Sequence, residues 1–312
     1  MRGGRKFAGA LALLAGLAAT QALAGPIPDD IAARLKAMGP IVDPPNTAAI
    51  YRPLHPAEPY ANARVTRDLF YGPAPRNRLD LFAPPIRGAE PRPVILFVHG
   101  GGFVRGDKRT PAGFAWDNVA LWAVRNGFIG VNMTYRLAAD APFPAAAEDI
   151  GLAVDWLRRE VAARGGDPRQ IVLVGHSAGA VHAASYVATP SLHGPGGSGL
   201  ASAVLISGLY DLSLVDKPDE RAYFGAEPAD RKARSPLEGL LATKLPILVT
   251  AAELDPEHFV AQFGLIKREG CRRPAGCFAT AWTPAHNHLS VAYAINTDDT
   301  SLTDEILKFL GR

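Results

Sequence analysis

The feature that most constrains this chain is the sequence GHSAG at residues 175–179. It follows the apolar, β-branched run 171–174 and precedes a stretch of small residues with a helical pattern. A G-x-S-x-G sequence between a strand and a helix places its serine, here Ser177, on a strained turn with the hydroxyl exposed. Glycine and serine also recur in ordinary turns, so the pentapeptide alone leaves both interpretations open.

A second glycine-rich motif, HGGGF at residues 99–103, lies directly after the apolar run 94–98. In lipases and esterases, a loop of this kind supplies backbone N–H groups that bind an oxyanion. Glycine is required there because the backbone must approach the substrate closely and adopt positive φ without a Cβ clash. The order of the two motifs, each at the end of a predicted strand, favours a nucleophilic serine over an ordinary turn.

With these motifs the chain resembles the α/β-hydrolase superfamily, and within it the HGGG-type carboxylesterases of the hormone-sensitive-lipase-like and feruloyl/acetyl-xylan-esterase-like groups. The resemblance covers most of the chain after about Val65. It also rests on YRL at 135–137, PFP at 142–144, LDP at 254–256 and HNHLS at 286–290. It implies a serine hydrolase with a Ser-His-Asp triad and neither a metal nor an organic cofactor.

The pattern of apolar runs predicts the α/β-hydrolase fold, a mostly parallel sheet with helices on both faces. Strands are expected at 65–70, 79–82, 94–98, 129–134, 171–174, 204–207, 247–250 and 278–282. Helices are expected at 116–125, 145–164, 178–188, 258–270 and 303–310. Residues 211–241 interrupt this alternation with charges, prolines and aromatics. They form either a wall or partial lid of the active site or a solvated surface loop.

The beginning of the chain predicts export and a three-part organisation. Residues 1–24 have a basic start, an apolar stretch and a small-x-small ending, as in a cleaved signal peptide. A membrane anchor is the alternative, but the stretch is short for a bilayer span. Residues 25–63 are proline-rich and are interpreted as an N-terminal arm with one helix capped by Asp29, and 64–312 as the catalytic domain. The product is expected in the periplasm or secreted.

The charge and the cysteine content narrow the classes of protein to which this chain can belong. The formal net charge is only +3, and no basic run interleaved with aromatics suggests a nucleic-acid groove. The two cysteines, Cys271 and Cys277, are close in sequence, and a disulfide is expected in an oxidising compartment. A zinc site is disfavoured because it needs four ligands.

The acid of the triad is expected in the loop after the strand 247–250, since acid and histidine follow the serine in that order in this fold. Glu253 and Asp255 compete there. Asp255 is preferred because LDP at 254–256 is similar to the Asp-Pro turn of the esterase families, and because aspartate would cap the following helix.

The histidine is expected after the strand 278–282, where the chain offers His286 and His288. His288 is preferred because the Leu-Ser that follows resembles the start of the last active-site loop in these esterases. His286 would then have an orienting role or lie on the surface.

The resemblance also assigns supporting roles. Gly101, Gly102 and Ala178 would donate the oxyanion-hole hydrogen bonds. His99 is interpreted as a structural residue that ties the glycine loop down, and His176 as a packing residue.

The sequence also predicts one ion pair and the environment of five aromatic residues. Arg136 and Asp149 are expected to form a structural ion pair beside the site. Five aromatic residues are either pocket-lining or core, and core is favoured: Phe103, Phe143, Tyr210, Tyr223 and Phe224.

The sequence therefore predicts an exported carboxylic-ester hydrolase. Two alternatives are an arylformamidase-type amide hydrolase, which has a similar glycine loop and Asp-Pro-Glu loop, and a non-catalytic binding protein of the same fold. The substrate would be a small-molecule or carbohydrate-linked ester, with xylan esters, aliphatic esters and polyester fragments all open. The oligomeric state is open as well.

Overall fold

The computed structural model of the protein describes residues 25–110, 113–138 and 140–312. The expected signal peptide, residues 1–24, lies outside the described residues, and its cleavage stays a prediction. Within the described ranges, no helix combines the length and apolar character needed to cross a membrane.

The centre of the fold is one sheet of eight strands in the order β1-β2-β4-β3-β5-β6-β7-β8. The strands are β1 Arg64–Phe70, β2 Arg78–Ala83, β3 Arg92–Val98, β4 Ile129–Met133, β5 Gly166–His176, β6 Ser202–Ile206, β7 Ile247–Leu254 and β8 Ala279–Asn287. Strand β2 runs antiparallel to β1 and β4, and the remaining neighbours are parallel. Each expected strand is present, and the predicted mostly parallel sheet is confirmed.

Eleven helices lie before, between and after these strands in the described residues. They are α1 Asp29–Met38, α2 Pro44–Tyr51, α3 Asp117–Arg125, α4 Ala145–Glu160, α5 Ala178–Ala188, α6 Pro218–Phe224, α7 Pro228–Ala233, α8 Leu237–Ala242, α9 Glu257–Glu269, α10 Ser290–Tyr293 and α11 Thr303–Phe309. Short 3₁₀ turns lie at Arg52–Leu54, Ala162–Arg164, Pro190–Leu192, Leu212–Leu214 and Gly270–Arg272. The helix expected to reach residue 164 therefore ends at Glu160, and its last residues form a 3₁₀ turn.

The two faces of the sheet form two apolar layers. Successive side chains of a strand point to opposite faces. Leu96 of β3 and Leu173 of β5 therefore belong to one layer, and Phe97 and Val174 to the other. Because both faces are covered, the central strands are continuous apolar runs, which is why they were recognisable in the sequence.

Residues 25–63 lie against the second of these faces. The α1 side chains Ile31 and Leu35 are buried in that layer. At the start, Gly25 donates its N–H to Asp298 O over 3.0 Å and accepts from the Thr300 N–H over 2.8 Å. The expected helix cap was wrong, since Pro28 occupies the cap position and Asp29 is the first helical residue.

Residues 211–241 are not a solvated loop but fold into α6, α7 and α8 with buried contacts. The core interpretation of the aromatic residues is correct. Phe103, Tyr210, Tyr223 and Phe224 are buried, and Phe143 packs partly buried against them.

A disulfide joins Cys271 to Cys277 in the turn that leads from α9 to β8. The two Cα atoms are 3.9 Å apart. The predicted pairing is confirmed, and it closes a short loop on the surface, where both cysteines are exposed.

Candidate active site

Ser177 occupies a sharp turn between β5 and α5. Its φ of +56° and ψ of −125° lie in a region that residues with a side chain rarely adopt. The turn is held by a hydrogen bond from its own N–H to Ile206 O over 2.9 Å. Glycine is required two residues later because a Cβ at Gly179 would collide with the carbonyl oxygen of Val98. The α5 helix can therefore pack directly on β3, and the serine is presented at the edge of the sheet.

The structure brings Ser177, His288 and Asp255 into one hydrogen-bonded chain. His288 Nε2 lies 2.8 Å from Ser177 Oγ, and His288 Nδ1 lies 2.6 Å from Asp255 Oδ1. His288 and Asp255 are each 2% exposed. In this geometry the carboxylate accepts a hydrogen bond from Nδ1–H, which leaves Nε2 free to accept a proton from the hydroxyl.

Asp255 is held by donors on its second oxygen. Its Oδ2 accepts from Ser207 Oγ over 2.7 Å and from the Ala252 N–H over 2.8 Å. Burial alone would raise the pKa of Asp255, but the bond with His288 and these two donors lower it below its usual value. The carboxyl group is therefore ionised beside His288. The expected capping role was wrong, because Pro256 is the cap of α9 and no side chain bonds there.

The competing residues of the sequence have other partners. Glu253 is exposed, and its Oε2 accepts the N–H of Ala285 over 2.7 Å. His286 is 1% exposed and is not a surface residue. Its Nε2 lies 3.0 Å from Asp299 Oδ2, and its Nδ1 lies 3.1 Å from Ser290 Oγ. His286 therefore joins two segments of the last loop, whereas His288 contacts the serine.

His176 and Ser207 have contacts that the sequence did not reveal. His176 was interpreted as a packing residue, but its Nε2 also lies 2.7 Å from the carbonyl oxygen of His288. Burial lowers the pKa of His176 to about 3, so the ring is neutral and Nε2–H is the donor. Ser207 carries no local motif, and its contact with Asp255 arises from the pairing of β6 with β7.

The expected oxyanion donors lie in the glycine loop, which lines the same cavity as Ser177, and directly after Ser177 in the chain. Within the described residues, the N–H groups of Gly101, Gly102 and Ala178 donate to no protein acceptor. Gly101 and Gly102 have φ of +138° and +59°, which a side chain would strain. Ala178 is the first residue of α5, so its N–H points away from the helix, as the first N–H groups of a helix do. These groups are available to an anion that develops at the serine.

His99 holds the glycine loop as expected. Its Nδ1 lies 2.7 Å from the carbonyl oxygen of Gly100. Burial lowers the pKa of His99 to about 3, so the neutral ring donates from Nδ1. Because the Gly100 carbonyl and the Gly101 N–H belong to one planar peptide group, fixing the first also orients the second.

The expected ion pair between Arg136 and Asp149 is present. Arg136 Nε lies 2.9 Å from Asp149 Oδ1, and the Arg136 N–H donates to Asp149 Oδ2 over 2.7 Å. Asp149 is buried in α4. This ion pair therefore fixes the segment of chain that follows β4.

A cavity of about 630 Å³ opens onto Ser177 and His288. Its lining includes apolar residues from the N-terminal arm, from the start of α3 and from the last loop: Pro40, Ile41, Val42, Trp116, Leu289 and Tyr293. It also includes charged residues from the segment after the glycine motif and from residues 217–220: Arg105, Asp107, Lys217, Asp219 and Glu220. Residues 211–241 thus contribute a wall of the cavity, which was one of the two interpretations of their sequence.

Comparisons with known proteins agree with this geometry. Residues 79–193 match the family described as BD-FAE. Together with the fold, this match confirms the expected resemblance to the α/β-hydrolase esterases.

Relatives of known sequence are named esterases. Esterase LipQ of Mycobacterium tuberculosis is 28% identical over 271 residues, which are 80% of this chain and 62% of LipQ. Esterase LipI of the same organism is 36% identical over 134 residues, which are 43% of this chain and 39% of LipI. The chain therefore spans less than two thirds of the length of these relatives.

Solved structures share the fold. Esterase B of Lactobacillus rhamnosis inhibited by a tributyrin phosphonate aligns with a TM-score of 0.67 at 18% identity, over 91% of this chain and 95% of that one. An esterase of Pyrobaculum calidifontis aligns with a TM-score of 0.62 at 22% identity, over 92% of this chain and 99% of that one. At this level of identity the alignments establish the fold alone.

Proposed function

We propose that this protein is an exported serine carboxylesterase with Ser177 as nucleophile, His288 as general base and Asp255 as the residue that orients the base. The observation that carries the proposal is the chain of hydrogen bonds from Ser177 Oγ through His288 to Asp255, with distances of 2.8 Å and 2.6 Å. It lies at the bottom of a cavity and beside backbone N–H groups without protein acceptors.

In the acylation step, His288 Nε2 takes the proton of Ser177 while Oγ attacks the ester carbonyl carbon. The negative charge that develops on the carbonyl oxygen is stabilised by the N–H groups of Gly101, Gly102 and Ala178, each worth about 10²–10³ in rate. His288 then gives its proton to the oxygen of the departing alcohol. Asp255 stays ionised and stabilises the imidazolium.

In deacylation, a water molecule replaces the alcohol and loses its proton to His288. The hydroxide attacks the acyl carbon, and the serine oxygen leaves with the proton from His288. Among the described residues, no group of three or more His, Cys, Asp or Glu is arranged to hold a metal ion. Acylation and deacylation both proceed through side chains and backbone N–H groups of this chain.

The export part of the proposal rests on residues 1–24 and on the disulfide. A basic start, an apolar run and a small-x-small ending are typical of a signal peptide, and Cys271–Cys277 suits an oxidising compartment. Residues 25–63 then form the N-terminal arm and 64–312 the catalytic domain. Amino-terminal sequencing of protein from the periplasm or medium tests this, since cleavage before Gly25 is expected.

Kinetics with p-nitrophenyl esters test the activity. The wild-type protein should hydrolyse p-nitrophenyl acetate or butyrate, and His288→Ala should lose several orders of magnitude in kcat. His286→Ala is the matched control and should keep most of kcat in the folded fraction, since its partners are Asp299 and Ser290. A larger loss in His286→Ala than in His288→Ala would contradict the assignment. A preference for N-formylaniline over the esters would favour the formamidase alternative.

A further inference from the structure

One carboxyl group in the cavity has no part in the steps above. Glu220 lies on α6 and lines the cavity that contains Ser177. The residue is only 6% exposed. Its Oε2 has no hydrogen-bond partner among the described residues. A buried and unpaired carboxyl oxygen therefore lies in the wall of the site.

The position of Glu220 is fixed by contacts between α6 and the glycine loop. Phe103 of that loop stacks on Tyr223 with ring centroids 5.5 Å apart and meets Phe224 edge to face at 5.2 Å. Arg105 pairs with Asp219 over 3.0 Å. Because α6 is held to the glycine loop at both ends, Glu220 is held in the wall of the cavity that contains Ser177.

Leaving a polar group buried without a partner lowers the stability of the folded protein. Burial, with Asp219 adding to it, raises the pKa of Glu220. The unpaired Oε2 can accept a hydrogen bond whether the carboxyl group is ionised or neutral. Its fitting ligand is therefore a hydrogen-bond donor such as a hydroxyl group.

We propose that Glu220 is a substrate-binding residue that hydrogen-bonds a hydroxyl group carried by the acyl or the alcohol part of the ester. The inference rests on the proposed esterase function and deepens it, because it assigns the lining residues to parts of the substrate. Pro40, Ile41 and Val42 are available to an apolar group, and Glu220 to a hydroxylated one. Esters that have both parts are the substrate class.

Two pairs of esters test the proposal and distinguish the two sources of the hydroxyl. Propyl butyrate is compared with 2,3-dihydroxypropyl butyrate for the alcohol part, and ethyl butyrate with ethyl 3-hydroxybutyrate for the acyl part. The ratio of kcat/KM within each pair is measured for wild type, Glu220→Met, Glu220→Gln and Glu227→Met. Glu227 is exposed and does not line the cavity, so it is the control.

In at least one pair, the wild type should favour the hydroxylated ester by about tenfold, since a site built to bind a hydroxyl rejects the analogue without it. Glu220→Met should abolish that ratio, because kcat/KM on the hydroxylated ester should fall more than kcat/KM on the plain ester. Glu220→Gln retains an acceptor oxygen and should keep the ratio within about threefold, and Glu227→Met should not change it. No preference in either pair, or a ratio unchanged in Glu220→Met, would overturn the proposal.

Binding and stability make the test independent of turnover. Calorimetry on Ser177→Ala should show that the hydroxylated ester binds about tenfold more tightly than the plain ester. The double variant Ser177→Ala/Glu220→Met should have lost this preference. Both results are expected even if the wild type hydrolyses no ester and the proposed function fails. Glu220→Met should also raise the melting temperature, because it removes an unpaired buried carboxyl group. A lowered melting temperature with no change in binding preference would indicate a purely structural role and overturn the proposal.

Discussion

His176 donates a hydrogen bond from Nε2 to the carbonyl oxygen of His288, over 2.7 Å. His176 precedes Ser177 in the chain. It thus holds the backbone of His288, whose side chain contacts the Ser177 hydroxyl. Ser177 and His288 are linked both through their side chains and through this bond, so their relative position is fixed from two sides.

Replacing His176 with phenylalanine should therefore lower kcat by about tenfold with a small change in KM, because misplacing a catalytic group affects the transition state most. His182→Phe is the matched control, since His182 is buried, makes no hydrogen bond to the described residues and packs against Phe103, Tyr135 and Tyr223. Steady-state kinetics of both variants check this, and equal losses of kcat would contradict a specific role of His176.

Ser207→Ala should weaken both stability and catalysis. The hydroxyl donates to the buried carboxylate of Asp255 over 2.7 Å, and hydrogen bonds to charged groups contribute about 1.5–3 kcal/mol. We expect the free energy of unfolding, measured in urea, to fall by about this amount. We also expect kcat/KM to fall three- to tenfold, because about 1 kcal/mol corresponds to a fivefold change in rate. Ser185→Ala, which removes a buried hydroxyl without a partner among the described residues, should lower neither quantity. A Ser207 variant as stable as wild type would contradict the prediction.

Acid should destabilise the protein below pH 6.5. Burial lowers the pKa of His99, His176 and His182 to about 3 each, whereas an unfolded histidine has a pKa of about 6.5. Between pH 3 and pH 6.5 the unfolded state therefore binds more protons than the folded state. The folded protein keeps its full stability above pH 6.5, as far as these histidines are concerned. That stability is lost as the pH falls towards 3, by up to about 1.4 kcal/mol per pH unit for each group.

Urea unfolding at pH 7 and pH 5 measures this dependence. His182→Phe removes one of the histidines whose pKa is lowered by burial, which also include His55 and His258, and should flatten the slope in this window. Equal free energies of unfolding at the two pH values would show that these histidines are not kept neutral by the fold.

The disulfide should affect stability and not catalysis. Cys271 and Cys277 close a loop with a sequence separation of 6, and the chain-entropy model gives about 2 kcal/mol for so short a loop. The double serine variant should melt a few degrees lower than wild type and keep kcat/KM within about threefold. A large loss of activity at a temperature where the variant is folded would contradict this separation.

Much of the sheet was predictable because its central strands are buried on both faces. Apolar runs such as 94–98 and 171–174 are stable only when they are buried in the protein interior, and the glycines beside them mark the turns. The helix Pro44–Tyr51 was missed because two prolines open it, although proline is tolerated in a first helical turn, where its missing N–H costs no bond. Asp43 caps this helix, whereas Asp29, the expected cap of the first helix, lies inside it.

Within the site, residues that carry a local motif were predictable, and residues that act through a neighbouring strand were not. The positions of Ser177, Asp255 and His288 follow from the turns after β5, β7 and β8. Ser207 reaches Asp255 only because β6 lies beside β7, and no local pattern encodes that pairing. The capping argument for Asp255 failed because its carboxylate is occupied by His288, Ser207 and Ala252.

Activation of Ser177 by His288 can be measured by mass spectrometry after treatment with a fluorophosphonate, which reacts with a nucleophilic serine. The wild-type protein should gain one adduct, located on Ser177, and Ser177→Ala should gain none. His288→Ala should label far more slowly than His286→Ala. An adduct on another residue, or unreduced labelling of Ser177→Ala, would contradict the assignment of Ser177 as the nucleophile.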